Sequence, residues 1–264
     1  GSASGFLWRA KVLGGRDPVK AGEFLLPAHS SKAAILGILQ HGKPIRRLVT
    51  IPEGMPSIMV QERLMAEPLL TGPVPAPAEG SVLPQTYDFE RGEPRAAVLA
   101  RMQAAMKKAL VEMWAKRKVG ACPVDTPQEA VTLASIVEKE TAKPAERPVV
   151  AGVYCNRLRI GMKLDADPTV IYPITKGKPL GRRILKSELN AITGYNTYRE
   201  VGLPAGPITN PGRASLAAVL NPTPSDYLFF VADGRGGHVF ARTLAEQEAN
   251  KAKWFAIRRA RGEM

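Results

Sequence analysis

The chain has 264 residues, 45% of them hydrophobic, and a formal net charge of +13 at pH 7. That length and hydrophobic content suffice for a packed core in one large domain, or in a small domain and a larger one. The charge suits an anionic partner, but aromatics make up only 6% of the chain and no helix-turn-helix, RRM or zinc-finger signature occurs. We therefore expect no nucleic-acid binding.

The amino-terminal residues Gly1-Ser2-Ala3-Ser4 are typical of a cloning remnant, and we interpret residues 1–5 as an expression scar. No apolar run approaches the roughly 20 residues that a membrane-spanning helix needs.

Residues 18–50 predict a small β-α-β unit. Residues 24–26 (Phe-Leu-Leu) and 48–51 (Leu-Val-Thr-Ile) have the composition of short strands. Between them, residues 33–39 predict a helix that the Ser30-Ser31 pair caps and Gly42 ends.

Residues 71–78 form the most proline-rich segment, which indicates a loop or hinge. We place a domain boundary there, between a module and linker at residues 6–77 and a larger domain at residues 78–264. From Glu93 to about Lys118, apolar residues recur at helical spacing and predict a long amphipathic helix. Its methionines are more typical of a core than of a binding surface.

The most strongly signalled helix begins after Thr126. Thr126 and Glu129 form a capping box, and Pro127 occupies the first helical position. Near its end, Glu138 and Glu140 flank the apolar stripe on opposite edges, so they do not face each other. A Glu-Lys-Glu sequence such as residues 138–140 is often the solvated end of a helix. A glutamate held against apolar surface would instead have a raised pKa, suited to a general acid, and Glu140 fits that description better.

A second capped helix begins near Glu146, carries Asn156 and ends at Gly161, before a polar loop at residues 164–172 that includes Asp165, Asp167 and Thr169. Polar loops beside capped helices are typical of functional sites. The later predicted elements are a helix at 185–189, a helix that Asn210 caps and that ends at Leu220, strands at 227–232 and 238–241 around a hairpin loop, and a last helix at 244–259. The predicted class is α+β.

The two cysteines, Cys122 and Cys155, could form a bridge in an oxidising compartment. Cys155 falls inside a predicted helix, so we expect a buried free thiol instead. Neither cysteine has metal-ligand spacing with a histidine, and we expect no metal and no cofactor.

Several motifs together resemble the endolytic murein transglycosylases of the MltG (YceG-like) family. They are the Thr126–Tyr172 stretch, Glu79–Tyr87, Tyr195–Tyr198, Gly202–Pro204, Gly206–Ile208 and Gly236–Phe240. The resemblance implies a mainly helical, lysozyme-like catalytic domain that cleaves the MurNAc-GlcNAc bond of nascent peptidoglycan glycan strands. It also implies that the small amino-terminal unit, matched from Ala21 to Gly42, is a LysM-like module. Two interpretations of this unit stay open, namely glycan binding and simple packing against the catalytic domain.

In cellular terms, the resemblance implies a single-pass anchor in the bacterial inner membrane, missing from this sequence, with the catalytic domain facing the periplasm or cell wall. Cell-wall synthases are the implied partners. A non-catalytic peptidoglycan-binding protein of the same fold is the alternative.

Lytic transglycosylases need only one carboxyl group, whereas most glycosidases use a pair. In lysozyme-like transglycosylases the catalytic glutamate is followed by Ser or Thr at the end of a helix. Glu140-Thr141 aligns with that pair of residues, so the resemblance selects Glu140 as the catalytic acid. The implied substrate-binding residues are Glu138, Asn156, Asp165, Asp167, Thr169, Tyr195, Asn196, Tyr198 and His238.

Each of these residues also has an ordinary structural explanation. Asn156 can be a polar helix residue, Asp167 a turn cap, residues 195–198 loop packing, and His238 a strand residue with a structural hydrogen bond. The chain departs from the family at Asp165, where the family has Gln. The extra charge predicts an altered pH optimum or glycan preference.

Overall fold

The computed structural model describes Trp8, residues 17–20 and residues 22–263. The predicted scar at residues 1–5 and Ala21, the first residue of the LysM-like match, lie outside these ranges. The described α-helices of 22–263 are α1 (Lys32–His41), α2 (Ser57–Ala66), α3 (Arg95–Ala115), α4 (Pro127–Glu140), α5 (Arg147–Arg159), α6 (Asp167–Thr175), α7 (Lys186–Asn190), α8 (Arg213–Leu220) and α9 (Leu244–Ala260). A short 3-10 helix, Pro144–Glu146, precedes α5.

Two short antiparallel pairs of strands accompany these helices. Strand β1 (Arg47–Thr50) pairs with β2 (Thr86–Phe89), and β3 (Phe229–Ala232) pairs with β4 (His238–Ala241). A helix-rich fold with a few short strands confirms the predicted α+β class.

The predicted strand at residues 24–26 is wrong. These residues are irregular, and Leu25 is 79% exposed. The strand that pairs with β1 is β2, which lies after the proline-rich segment. Local composition suits a strand at 24–26, but a strand also needs a partner, and β2 takes that place.

Two other local predictions are corrected. The predicted polar loop at residues 164–172 is helical from Asp167 onward, because Asp167 and Pro168 suit the first turn of α6. The predicted capping residue Asn210 does not cap α8, whose N-cap is Gly212. The Asn210 amide instead donates to Met55 O and accepts from Val82 N–H.

The larger hydrophobic core lies under α4. It brings together the inner faces of α3, α4, α5 and α8, and its largest fully buried side chains include Leu133, Ile136, Tyr154 and Leu216. The most extensive helix pairings are α4 with α8 and α5 with α8. This core fixes the positions of the carboxyl end of α4 and of the facing side of α5.

A second core joins β1, α2, β2 and the start of α3. Its buried members include Val49 and Val60 before the predicted boundary at residues 77/78, and Tyr87, Val98 and Met102 after it. The segments on the two sides of that boundary therefore share one packed cluster.

Cys122 and Cys155 form a disulfide that ties the loop before α4 to α5. Their Cα atoms are 4.9 Å apart, within the range that a disulfide spans. The predicted free thiol at Cys155 is therefore wrong. Both side chains lie in the larger core, where the packing of α5 brings them together.

Candidate active site

The carboxyl end of α4 carries two glutamates in different surroundings. The helix begins with the predicted capping box, in which Thr126 Oγ1 accepts from Glu129 N–H at 3.1 Å, and residues 130–137 are buried. Beyond this support, Glu138 and Glu140 are both half-buried residues, and the Glu138 side chain itself is only 4% exposed. The packed body of α4 thus holds Glu140 at the edge of the core.

The Glu140 carboxyl lies among polar side chains from α5 and α6. Burial raises its pKa to about 7. A hydrogen bond with the Tyr154 hydroxyl opposes that shift, the negative charge of Asp167 reinforces it, and the positive charge of Arg157 opposes it. At neutral pH a large fraction of Glu140 is therefore protonated, as a general acid requires.

Tyr154 and Arg157 reach this place because they are three residues apart in α5 and so lie on one face. Tyr154 is 1% exposed, and its ring packs edge-on against Phe230, with centroids 5.8 Å apart. Burial raises the pKa of Tyr154 far above its usual range, so its hydroxyl stays protonated. Arg157 donates to Leu228 O at 2.6 Å and to Leu164 O at 2.8 Å.

Asp167 and Tyr198 form a second pair beside Glu140. The Tyr198 hydroxyl donates to Asp167 Oδ1 at 2.6 Å. Burial, together with this carboxylate, raises the pKa of Tyr198 well above its usual range. Asp167 opens α6 and Tyr198 lies 31 residues later, so the pair depends on how the loop at 193–200 folds against that helix.

Buried threonines attach this loop to α6. The Thr169 and Thr197 hydroxyl oxygens are 2.9 Å apart, and Thr197 Oγ1 also accepts from Ala166 N–H at 3.0 Å. Asn196 is 1% exposed, and its amide donates to Ala191 O at 2.7 Å, as well as to two carbonyls in α7. Thr169 and Asn196 thus shape the loop that presents Tyr198.

Tyr195 and Asp165 lie on the flanks of this loop. The Tyr195 ring packs against Tyr172, with centroids 4.8 Å apart. Asp165 has a left-handed backbone, φ 49°, which aspartate tolerates better than most residues. Its carboxylate lies 3.6 Å from Arg157, and burial raises the pKa of Asp165. The carboxylate that acts electrostatically on Glu140 is Asp167 rather than Asp165.

A cavity of about 330 Å³ opens beside Glu140. Its wall combines the end of α4 with the β3-β4 hairpin and α9, and includes Glu140, Thr141, Ala232, His238, Trp254 and Arg261. The size falls at the lower end of the range for small-ligand sites. Glu140 and His238 therefore line one cavity, although 98 positions separate them in the sequence.

Comparison with known proteins places this arrangement in a family. Residues 1–253 match the model of the YceG-like family. The chain belongs to the YceG-like family. An endolytic murein transglycosylase from Bacillus subtilis strain 168 is 35% identical over 184 residues, covering 68% of this chain and 49% of that protein. An endolytic murein transglycosylase from Streptococcus pneumoniae serotype 2 strain D39 is 35% identical over 181 residues, covering 66% of this chain and 32% of that protein.

The YceG-like chain therefore spans about half the length of the first relative and about a third of the second. A crystal structure of a yceG-like protein from Listeria monocytogenes, at 2.6 Å resolution, matches with a TM-score of 0.64 and 27% identity. The match covers 94% of this chain and 90% of that one. The fold is thus similar to a YceG-like structure over almost the whole chain.

Two of the predicted substrate-binding residues in this YceG-like chain make structural contacts away from the cavity. Glu138 accepts from Arg147 Nη2 at 3.0 Å and from the Gly212 N–H at 2.8 Å. The Asn156 amide donates to Ser225 O at 2.7 Å and to Tyr227 O at 3.0 Å. Glu138 thus ties α4 to α5 and α8, and Asn156 ties α5 to the segment before β3.

Sequence reasoning did not select Tyr154, Arg157 or Glu146, all of which contact predicted site residues. Tyr154 and Arg157 flank the chosen Asn156, and their helical spacing was a usable signal. Glu146 contacts His238, which lies 92 residues later, and local sequence gives no sign of that contact.

No described helix of the YceG-like chain is both long and apolar enough to cross a bilayer. Within the same described ranges, no three His, Cys, Asp or Glu side chains are arranged to hold a metal ion. The absence of a metal and of a cofactor stays a prediction.

Proposed function

We propose that this YceG-like chain is an endolytic lytic transglycosylase that cleaves the MurNAc-GlcNAc bond of nascent peptidoglycan strands and leaves 1,6-anhydro-MurNAc ends. The observation that carries the proposal is Glu140, a half-buried carboxyl on the wall of an open cavity, with a pKa raised to about 7. The names of the Bacillus and Streptococcus relatives support the same reaction.

In the proposed reaction, protonated Glu140 donates its proton to the glycosidic oxygen as the bond from that oxygen to C1 of the muramoyl residue breaks. The 6-hydroxyl oxygen of the same residue bonds to C1, and the Glu140 carboxylate takes the hydroxyl proton. The products are a 1,6-anhydro end and a free hydroxyl on the departing sugar. Glu140 is again protonated, and no water is consumed.

The surroundings of the other acids favour a mechanism with one carboxyl group. Both Glu138 oxygens accept hydrogen bonds from the protein, and an Asp167 oxygen accepts from Tyr198. A glycosidase that uses two carboxyl groups needs a second one free to act as nucleophile or base. The substrate's own 6-hydroxyl group removes that requirement.

We propose that His238 contacts the substrate directly from the cavity wall, and that Asp167, Tyr195 and Tyr198 form the neighbouring part of the subsite. Thr169 and Asn196 would then act by holding the loop, since their polar atoms bond within it. Asp165 would contribute through Arg157, 3.6 Å from its carboxylate.

We further propose a lysozyme-like catalytic region at residues 78–264, preceded by a LysM-like glycan-binding module within residues 6–77. A cavity of about 510 Å³ supports the second idea, because Glu23 and Arg46 from the amino-terminal region line it together with Asp88 and Arg101. Titration of chitin oligosaccharides into wild-type protein and Arg46→Ala would test it, since equal affinity in both would exclude binding in that cavity.

The cellular setting is also proposed: a single-pass anchor in the inner membrane, the catalytic region on the periplasmic side, and cell-wall synthases as partners. The resemblance supports this setting, and the net charge of +13 suits an anionic membrane surface or wall polymer. Fractionation and cross-linking of the full-length protein in cells would test it.

The deciding experiment is digestion of purified glycan strands, with chromatography and mass spectrometry of the products. We expect internal cleavage and 1,6-anhydro-MurNAc ends. Products with only reducing ends would identify a hydrolase and overturn the transglycosylase mechanism. Binding without cleavage would identify a non-catalytic peptidoglycan-binding protein.

A further inference from the structure

Glu146 is held by hydrogen-bond donors from Thr141 and His238, two residues that line the cavity beside Glu140. Its side chain is 16% exposed. Its oxygens accept from His238 N–H at 3.0 Å and from Thr141 Oγ1 at 3.1 Å, and one lies 2.7 Å from His238 Nδ1. Burial by itself would raise the pKa of Glu146, but the hydrogen bonds from His238 and Thr141 outweigh it and lower the pKa. Glu146 is therefore ionised at neutral pH.

An ionised carboxylate only accepts hydrogen bonds. The 2.7 Å contact with Glu146 Oε2 therefore requires a hydrogen on His238 Nδ1. In the neutral ring that hydrogen leaves Nε2 as an acceptor. Glu146 thus determines what the opposite edge of the His238 ring can bind.

His238 contributes to the cavity wall beside Glu140, whereas Glu146 is not among the described residues of that wall. The imidazole also packs edge-on against Phe230, with ring centroids 5.2 Å apart. Within residues 22–263, Nε2 has no hydrogen-bond partner in the protein.

Glu146 and Phe230 thus orient the His238 ring, and the part of the chain that the structure describes offers no hydrogen-bond partner to its remaining nitrogen. An acceptor at this place suits a sugar hydroxyl or an acetamido N–H. It does not suit a carboxylate or a carbonyl, which offer no hydrogen.

We propose that Glu146 is a positioning residue that fixes the Nδ1–H tautomer of His238, so that Nε2 accepts a hydrogen bond from a hydroxyl or acetamido N–H of the saccharide beside Glu140. This inference rests on the proposed function, because it takes the cavity ligand to be the glycan strand. It adds Glu146 to the site and gives His238 a defined hydrogen-bonding role.

The first test replaces His238 with Asn and with Gln. An Asn amide can keep the bond to Glu146 but lacks an atom at the Nε2 position, whereas the longer Gln amide can place an acceptor there. We expect His238→Asn to lower kcat/KM for glycan cleavage by roughly 3- to 10-fold, the value of one ordinary hydrogen bond. His238→Gln should recover part of that loss. A wild-type kcat/KM in His238→Asn would overturn the inference.

The second test observes the tautomer directly, by nitrogen-15 NMR of the imidazole rings at neutral pH. The chain has three histidines, and the signals absent from His238→Asn identify the right one. Wild type should show the Nδ1–H form. Glu146→Gln should show a mixture, because an amide can donate as well as accept. An Nε2–H or doubly protonated ring in wild type would overturn the inference.

The two proposals fail in different ways. Loss of the proposed function would appear as wild-type protein that makes no anhydro ends, while the NMR result would still report on the Glu146-His238 pair. Failure of the further inference would appear as normal anhydro products together with the wrong tautomer or a fully active His238→Asn.

Discussion

The two sides of the carboxyl end of α4 differ in how completely the protein satisfies a glutamate. On one side, Glu138 accepts from Arg147 and from the backbone amide of Gly212, the N-cap of α8, and its side chain is 4% exposed. On the other side, Glu140 is half-buried on a cavity wall, and burial raises its pKa to about 7. Two identical side chains, two residues apart, therefore have different surroundings.

This comparison shows that the partners of a glutamate, and not its burial alone, determine whether it can serve as a proton donor. The Glu138 side chain is 4% exposed, but it has an arginine and an amide as partners, so it stabilises the packing of α5 and α8 on α4. Glu140 has a tyrosine hydroxyl as its hydrogen-bond partner and open space beside it. A carboxyl that loses hydration without gaining a paired cation keeps its proton to a higher pH.

The largest expected effect is on catalysis, through Glu140→Gln. The amide keeps the size of the side chain and its hydrogen-bonding capacity but cannot transfer a proton. We expect activity to fall by about 10² to 10⁴-fold, the usual contribution of a general acid-base group. The measurement is the rate at which 1,6-anhydro ends appear.

Glu138→Gln is the matched control for that loss. Because Glu138 faces Arg147 rather than the cavity, the folded fraction of this variant should retain substantial activity. If Glu140→Gln cleaves at the wild-type rate while Glu138→Gln does not, the assignment of roles at the end of α4 is wrong.

The next effect is on stability, through Glu138→Ala. The change leaves the Gly212 N–H without its acceptor and removes the nearer carboxylate from Arg147, whose side chain is 11% exposed. Loss of one partner of a buried pair costs about 3 kcal/mol or more. The expected fall in Tm is roughly 6 to 12 °C for a chain of this size.

Glu53→Ala provides the comparison for that change. Glu53 also contacts Arg147, at 3.3 Å, but its side chain is 43% exposed. A pair of that kind contributes less than about 1 kcal/mol. Equal Tm values for the two alanine variants would contradict the structural role of Glu138.

A smaller effect on stability is expected for Glu140→Gln, and this effect should depend on pH. The folded pKa of about 7 lies above the ordinary value of 4.5. The favourable contribution of the protonated group is therefore complete at low pH and is lost as pH rises toward and through about 7. Glu140→Gln should unfold like wild type near about pH 5 and be more stable near about pH 8, by on the order of 1 to 3 kcal/mol.

Urea unfolding at the two pH values measures this difference. A constant difference between variant and wild type across the pH range would mean that the Glu140 pKa is not raised.

The start of α4 was predictable because a capping box is a local signal, formed within four residues. The same holds for the start of α9, where Thr243 and Glu246 form another. The choice of Glu140 over Glu138 rested on helical geometry and on the family's acid-threonine step, and the structure gives Glu140 the raised pKa that this choice predicted. Its catalytic role stays a prediction.

Other features could not be predicted because distant segments determine them. Tyr154 contacts Glu140 only because α5 packs against α4, and the partner of β1 lies beyond a proline-rich segment. Asparagine is a residue type favoured at helix N-caps. The Asn210 amide nevertheless forms hydrogen bonds with Met55 and Val82, more than 120 residues away in sequence. In each case a long-range contact overrides a local preference.

The smallest effects concern the two neighbours that adjust the pKa of Glu140 in opposite directions. Tyr154→Phe removes a hydrogen bond that lowers this pKa, and Asp167→Asn removes a negative charge that raises it. A general acid is active while protonated, so activity falls as pH rises through its pKa. The basic limb of the activity profile should move to higher pH in Tyr154→Phe and to lower pH in Asp167→Asn.

Both shifts should be smaller than the rise from 4.5 to about 7, because burial is the largest cause of that rise and neither variant changes it. Asp165→Asn is the control, since Asp165 is not among the groups that act directly on Glu140 and is linked to it only through Arg157. The basic limb of the activity profile of Asp165→Asn should stay close to that of wild type. Shifts of the same sign in Tyr154→Phe and Asp167→Asn would show that the basic limb reports a group other than Glu140. If Asp165→Asn shifts the limb as much as Asp167→Asn does, the charge of Asp167 has no special effect on the pKa of Glu140.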